Sequence, residues 1–480
     1  MKTTIAVFDK KGRNAYPAVK KFLEQLRVEN ACFMMALPST VLQTEDVREL
    51  RQESVSSPVV IGAVYPKMLA GEWAQVARTE NAVSVFEGHL YSSTGKASGL
   101  LQKAQCANAK AMEELVKETE GDFFIITAEP ERILAARDPI GVQPMYYGEN
   151  VDYAAIASNR TALWELGIID PCSFTPGNLA IVNREGFQFK PLRPLGYSNP
   201  VQTTLDEAAQ ALRELLEHSV KARLRNVKQA SVAFSGGLDS SIIAFLAKKY
   251  CARVNLVHVS LRGQPETEDA RKAAAELKLP LNVFLFDPED VEKSVARVVE
   301  LIEEPDPVKV AVGIPFYWVA QKTAECVLNV LLAGQGADEL FGGYQRYVNE
   351  YLCHGASGLQ EIMYADIARL HKTNIERDKK ICNFHDVDLR LPFASYTIAK
   401  FALSLPLKLK IENKPHGQRK IVLRKVALNL GLPEAIANKP KKAVQYATGV
   451  NAVLGKIAKK RNMTVRAYVE RLFLEQKSRH

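Results

Sequence analysis

Ala230 to Tyr250 reads ASVAFSGGLDSSIIAFLAKKY, and this stretch decides the fold of the larger part of the chain. Val232 to Phe234 is a short apolar, partly β-branched run of the kind that forms a buried strand. The polar turn Ser235-Gly236-Gly237-Leu238-Asp239-Ser240 follows, and then an apolar-rich segment of helical length. Neither glycine has a Cβ, so the backbone can turn sharply and bring its N–H groups against a ligand. The helix points its N-terminus, with unpaired donors and partial positive charge, at the same place. Ser235, Ser240 and Ser241 add hydroxyl donors. The product is an anion cradle whose expected occupant is phosphate. It is not a Walker A loop, because G-x-x-x-x-G-K-S/T is absent. A lone Ser-Gly-Gly would favour a turn with no ligand; the complete string between a strand and a helix favours nucleotide binding.

SGGLDSS is similar to the SGGxDS signature of the ATP pyrophosphatases, which release pyrophosphate from ATP and adenylate a substrate. The flanking pattern suits a parallel sheet with helices on both faces. Thr204–Leu224 has helical spacing with a cap at Thr204, and after the loop strand and helix patterns alternate. Val254–Ser260 is strand-like, Glu266–Leu277 helical, Leu281–Phe286 strand-like, Pro288–Glu303 helical behind Asp287, and Val327–Ala333 strand-like. Ligands of such sheets sit at the strand C-termini.

A second loop follows the last of those strands: Leu332-Ala333-Gly334-Gln335-Gly336-Ala337-Asp338-Glu339-Leu340-Phe341-Gly342-Gly343-Tyr344. Asp338, with Asp239, supplies the hard oxygen ligands that a Mg²⁺–pyrophosphate group needs. This string resembles the S-G-E-G-x-D-E-L-F-G-G-Y motif of the asparagine synthetases and their relative β-lactam synthetase. The resemblance continues through Arg377-Asp378, then Asp388-Leu389-Arg390-Leu391-Pro392-Phe393, then Leu405-Pro406 with Lys408, Lys420, Leu423-Arg424, and Lys439-Pro440-Lys441-Lys442-Ala443. It implies ATP and Mg²⁺ as cofactors, with Ser235, Gly236, Gly237, Asp239, Ser240, Val259 and Gly334 on the nucleotide and Asp239 and Asp338 on the metal. It places Lys441 on the family's catalytic lysine, where it would ease departure of AMP. The family's glutamate in G-E-G is Gln335 here, which can orient an amine through hydrogen bonds but cannot take its proton. Ser395 stands for an aspartate and Asp388 for a glutamate, which loosens the expectation for the acid substrate.

The first half has a different texture. Short apolar runs (Thr4–Phe8, Val59–Val64, Ala82–Phe86, Phe123–Thr127, Arg132–Ala136, Met145–Tyr147, Asn178–Val182) suit antiparallel strands. Tyr16–Val28 and Gly99–Glu118 look helical, which together indicates an α+β layered domain. Leu134-Ala135-Ala136-Arg137-Asp138-Pro139-Ile140-Gly141-Val142-Gln143-Pro144-Met145-Tyr146-Tyr147 resembles a hairpin of class II glutamine amidotransferase domains, as do Gly121–Phe124, Ala157-Ser158 and Pro176-Gly177. The resemblance implies an Ntn-type antiparallel β-sandwich. That family attacks glutamine with an N-terminal cysteine thiolate, its free α-amine serving as base. Here the chain reads Met1-Lys2-Thr3-Thr4, its first cysteine is Cys32, and the glutamine-holding Asn-Gly-Glu strand is Phe86-Glu87-Gly88-His89. The expectation is a glutaminase-like scaffold without glutaminase activity. A processed Thr3 nucleophile is the alternative, with nothing else to support it.

The bulk properties fit two domains, since 480 residues exceed what one core usually accommodates. The expected division is 1–195, glutaminase-like, and 201–480, the ATP pyrophosphatase, joined by the Pro-rich Pro191–Pro200. Hydrophobic residues at 47% and charged residues at 24% are those of a globular protein, and no run is long enough for a membrane span. Seven scattered cysteines without a C-x-x-C pair argue for reduced thiols in the cytoplasm. Eight isolated histidines make no zinc pattern. The net charge of +9, part of it between Lys456 and Arg479, reads as a solvated basic helix rather than a nucleic-acid interface.

The leading expectation is therefore an ATP-dependent ligase that adenylates a carboxylate, first the aspartate side chain, and aminates it with ammonia or another amine. Lys441 and Gln335 are its catalytic candidates. A separate glutaminase subunit or a homodimer would be its partner. A β-lactam-synthetase-like ligase with a different acid and amine, an RNA-modifying enzyme and a non-catalytic nucleotide-binding protein are the competing classes.

Overall fold

The computed structural model describes residues 2–26, 28, 30–50, 56–66, 74–91, 95–106, 108–440 and 443–478. The chain divides into two compact units between Pro194 and Leu195, inside the Pro-rich stretch.

In the first unit two antiparallel sheets face one another. Thr3–Asp9 lies inside a sheet that includes Val59–Pro66, Ala31–Leu37 and Tyr153–Ala157; Gly121–Glu129 lies inside a second with Val83–Leu90, Arg132–Arg137 and Asn178–Asn183. The period-2 alternation of side chains explains why these strands are apolar throughout. Ala6 and Phe8 point into the core between the sheets with Phe124 and Ile126, whereas Ile5 and Val7 pack under the helix Tyr16–Gln25. Phe123 and Ile125 pack the opposite way, against Gly95–Gln105 and Ala109–Glu118. The result is a helix–sheet–sheet–helix sandwich, the Ntn-type architecture. The single helix expected over Gly99–Glu118 is two helices, the second capped by the Asn108 side chain on Ala111 N.

The second unit holds a parallel sheet in the order Leu281–Phe286, Arg253–Leu261, Gln229–Ala233, Val330–Leu332, Asp388–Arg390. From Gln229–Ala233 the chain first winds outward through Arg253–Leu261 to Leu281–Phe286. It then returns to lay Val330–Leu332 on the other side, with Ser231 opposite Leu331 and Val232 opposite Leu332. The strand order reverses between these two strands, and the loops leaving their C-terminal ends open a crevice there. Those loops are the two glycine-bearing motifs. Thr204 and Asp287 cap the helices Leu205–Arg223 and Pro288–Ile302 with capping boxes. No helix among the described residues is long and apolar enough to cross a membrane.

Candidate active site

A cavity of about 520 Å³ opens at this crevice. Ser235, Gly237, Asp239, Ser240 and Val259 line it from one side, and Gly334, Gln335 and Asp338 from the other. Within the first loop Gly237 N donates to Ser235 Oγ at 3.3 Å, and Ser240 Oγ donates to Gly237 O at 3.1 Å. Gly237 is the N-cap of the helix Leu238–Tyr250, whose first turns therefore aim their free N–H groups at the cavity. The glycines have different tasks. Gly236 is in the left-handed region at φ +66, and a Cβ there would lie 2.8 Å from Ala270 Cα. Gly236 does not line the cavity; it lets the loop pass beneath a neighbouring helix. Gly237 has φ −88, and a Cβ there would meet only Ser235 Oγ, at 3.2 Å. Its bareness serves close approach of a ligand.

Asp239 and Asp338 are brought together by a residue for which sequence reading gave no role. Lys420 Nζ lies 2.7 and 2.6 Å from the Asp239 carboxylate oxygens and 2.6 Å from Asp338 Oδ1. The lysine side chain is 3% exposed and each carboxylate 15%. Its backbone is left-handed at φ 57, a conformation costing a bulky residue about 1 kcal/mol or more. Gly343 completes the fit, since a Cβ there would sit 1.8 Å from Asp338 Oδ1 and 2.4 Å from Lys420 Cε. Two carboxylates on one cation, beside a helix N-terminus that can receive phosphate, are the donor set that magnesium uses when phosphate and water supply its other ligands. ATP and magnesium thus both fit the residues present.

Lys441 lies outside the described residues, but Lys439, Pro440 and Ala443 around it all line the cavity. Lys439 Nζ reaches Gly236 O and Asp269 Oδ2, both at 3.2 Å. Arg424 anchors that segment through Nη1 to Ala437 O at 2.6 Å and to Lys439 O at 3.3 Å.

Gln335 Nε2 donates to Asp378 Oδ2 at 2.6 Å, and Arg377 grips the same carboxylate through Nε at 2.7 Å and Nη2 at 3.0 Å. Beyond it, Glu339 Oε1 accepts from Asn374 Nδ2 at 2.7 Å and from Tyr344 OH at 2.5 Å. Burial, and then the charge of Asp338, push the Glu339 carboxyl above its usual range. His258, between Phe234 O and Thr267 Oγ1, has its pKa lowered by burial.

Two positions read as departures in the substrate region do not line the cavity. Asp388 is buried against Arg390 Nε at 2.7 Å and Lys379 Nζ at 3.7 Å, and Ser395 caps the helix Tyr396–Ser404. Both hold the fold. The lysine of the L-P-x-x-L-K string also needs correction: Lys408 is exposed, whereas Lys410, at the string's last position, is buried.

In the first unit, the strand at the family's glutamine-holding position carries Glu87, which is engaged by its neighbours. Lys2 Nζ lies 3.6 Å from Glu87 Oε1, both side chains being 2% exposed, and Thr4 Oγ1 donates to Glu87 Oε2 at 3.1 Å. Thr3 Oγ1 accepts from Asn159 Nδ2 at 3.0 Å. Cys32 sits half-buried on another strand, beside Tyr65.

Comparison with known proteins agrees with this geometry. The asparagine synthase family model matches residues 211–357 and 349–479, and the glutamine amidotransferase domain model matches residues 75–165. A Methanocaldococcus jannaschii protein that carries the name of a glutamine-hydrolyzing asparagine synthetase is 33% identical over 395 residues, which are 72% of this chain and 73% of that protein. The asparagine synthetase of Triphysaria versicolor is 26% identical over 321 residues, 63% of this chain but only 53% of its own length. Among solved structures, a glutamine phosphoribosylpyrophosphate amidotransferase from B. subtilis matches 58% of this chain and 65% of its own at 14% identity. Its TM-score of 0.31 is too low to argue from. On the family match and the archaeal relative, this chain belongs to the asparagine synthase family, a family of ATP-dependent amide ligases.

Proposed function

We propose that this chain adenylates a carboxylate, with the aspartate side chain as the first acid to test, releases pyrophosphate, and transfers the acyl group to ammonia or another amine. The observation that carries this reading is the convergence of Asp239 and Asp338 on Lys420 at the point where the parallel sheet reverses its strand order. The helix N-terminus at Gly237, Ser235 and Ser240 would bind the phosphates, and Val259 would stand beside the nucleoside. Asp239 and Asp338 would hold magnesium, which supplies charge neutralisation on pyrophosphate. A carboxylate oxygen of the acid attacks the α-phosphorus. Pyrophosphate departs into the cradle while Lys420, Lys439 and, by the family resemblance, Lys441 supply positive charge around the phosphates. The amine then attacks the acyl carbon, and AMP leaves.

The nitrogen source in this reading is not glutamine. Glu87, on the strand at the family's glutamine-holding position, is engaged by Lys2 and Thr4, which supports this reading. A second reading keeps the adenylation but takes an amine larger than ammonia; Gln335, in the position of the family's glutamate, favours it.

The deciding experiment incubates the purified chain with ATP, MgCl₂, ammonium and single amino acids, and follows AMP and pyrophosphate. Formation of both that depends on an acid supports the reading, with aspartate supporting the first form of it. ADP as the nucleotide product would sink the adenylation chemistry.

A further inference from the structure

Gln335 lines the cavity, while its partner Asp378 is 0% exposed and held by Arg377 at both carboxylate oxygens. A carboxylate held by a guanidinium only accepts hydrogen bonds, so it selects the donor arm of the Gln335 amide. Turning the amide over would set its carbonyl oxygen 2.6 Å from a carboxylate oxygen, a repulsive contact. The arm left for the cavity is therefore the carbonyl oxygen, an acceptor with no capacity to take a proton.

We propose, resting on the ligase reading above, that Asp378 fixes Gln335 so that its carbonyl oxygen orients the incoming nitrogen, and that the enzyme therefore uses the amine in its neutral form. A neutral amine offers an N–H to Gln335 Oε1 and its lone pair to the acyl carbon. The C–N bond forms, the C–O bond to AMP breaks with its electron pair on the phosphate oxygen, and the nitrogen's surplus proton passes to that oxygen. An ammonium ion has no lone pair to give, and Gln335 cannot create one. Asp378 and Arg377 act through Gln335 and are positioning residues. Glu339, 2.7 Å from Asn374, extends the same polar wall, with Arg377 Nη1 donating to Asn374 Oδ1 at 3.3 Å.

The test separates the two half-reactions. Adenylation is read as exchange of labelled pyrophosphate into ATP with an amino-acid mixture. Amination is read as product formed with hydroxylamine, which is neutral at pH 7, and with ammonium chloride. The wild type is expected to favour hydroxylamine over ammonium. Gln335→Met and Asp378→Asn should each lower the ratio of amination to exchange roughly 10–100-fold, the value of one positioned hydrogen bond. Gln335→Glu places two carboxylates in contact, one of which must carry a proton, and should shift the preference toward ammonium. Asp378→Asn can fail to fold because its site is buried, and Gln335→Met, on the cavity wall, then decides. An unchanged ratio in Gln335→Met overturns the proposal. Absence of any acid-dependent exchange in the wild type overturns the ligase reading itself, and this proposal with it.

Discussion

The ammonium of Lys420 lies 2.6 Å from Asp239 Oδ2, although 181 positions separate the two residues in the chain. Removing a lysine from between two carboxylates leaves like charges side by side with little water to screen them. Lys420→Met should lower stability by about 3–5 kcal/mol, as for other broken buried pairs. A divalent cation can replace the missing charge, so millimolar MgCl₂ should raise the melting temperature of the variant more than that of the wild type. Thermal melts with and without MgCl₂ measure this directly. Equal shifts in the two proteins would remove the case for a metal at these carboxylates.

The two glycines of the SGG turn should behave differently when substituted. Gly236→Ala forces an alanine to φ +66 with its Cβ against Ala270 backbone, and should cost about 1–3 kcal/mol or more. Gly237→Ala has an ordinary φ and one side-chain neighbour, and should cost about 1 kcal/mol or less. Its effect should fall on nucleotide affinity instead, read by titration of ATP. Comparable melting temperatures for the two variants would contradict the division of labour.

This pair of residues also marks how far the sequence could be read. The strand, glycine turn and helix start of the SGGLDSS stretch were legible because they follow one another between Val232 and Ser240. The loop that carries Asp338 was legible for the same reason. Lys420 was not assigned a role, because its neighbours Arg419 and Ile421 carry no local pattern and only the folded sheet brings it to Asp239. The helix Pro307–Glu325, which gives Lys309 and Phe316 to the cavity wall, was also not read. It is apolar on nearly all sides and contains Gly313 and Pro315, so it shows neither a helical stripe nor an uninterrupted run. Asp388 and Ser395 show the opposite limit: the resemblance marks them as departures that loosen the expectation for the acid, and in the fold they are a buried ion-pair member and a helix cap.

Lys410 should make stability depend on pH in an unusual direction. Burial lowers its pKa to about 7, against about 10.4 for an unfolded chain. Between those values the unfolded state binds the proton and the folded state does not, so stability from this group rises as pH rises from about 7 to about 10. Below about 7 both states are protonated and the cost of burying the charge is fully felt. Lys410→Met should be at least as stable as the wild type near pH 7, and the difference between them should shrink toward pH 10. Denaturant unfolding of both proteins across that range tests it; a constant difference would mean that Lys410 titrates alike in both states.

The buried pair in the first unit yields a prediction in which the double variant is the informative one. Glu87→Leu leaves the Lys2 ammonium in a place that is 2% exposed, and Lys2→Met does the same to the Glu87 carboxylate. Each single substitution should cost about 3–5 kcal/mol, because a buried charge loses the opposite charge 3.6 Å away. The combination Lys2→Met with Glu87→Leu removes both charges and replaces them with apolar groups of similar size. It should recover most of the loss, giving a coupling energy of about 5 kcal/mol or more in a double-mutant cycle. Thr4 loses one acceptor in the double variant, so recovery should be incomplete by about 1 kcal/mol. The same four proteins should release no glutamate from glutamine, since opening the pair restores neither a thiolate nor a carboxamide holder. Additive single effects would show that Lys2 and Glu87 do not compensate each other. Glutamate release by the wild type would show that this unit hydrolyses glutamine by a route that its strand residues do not disclose.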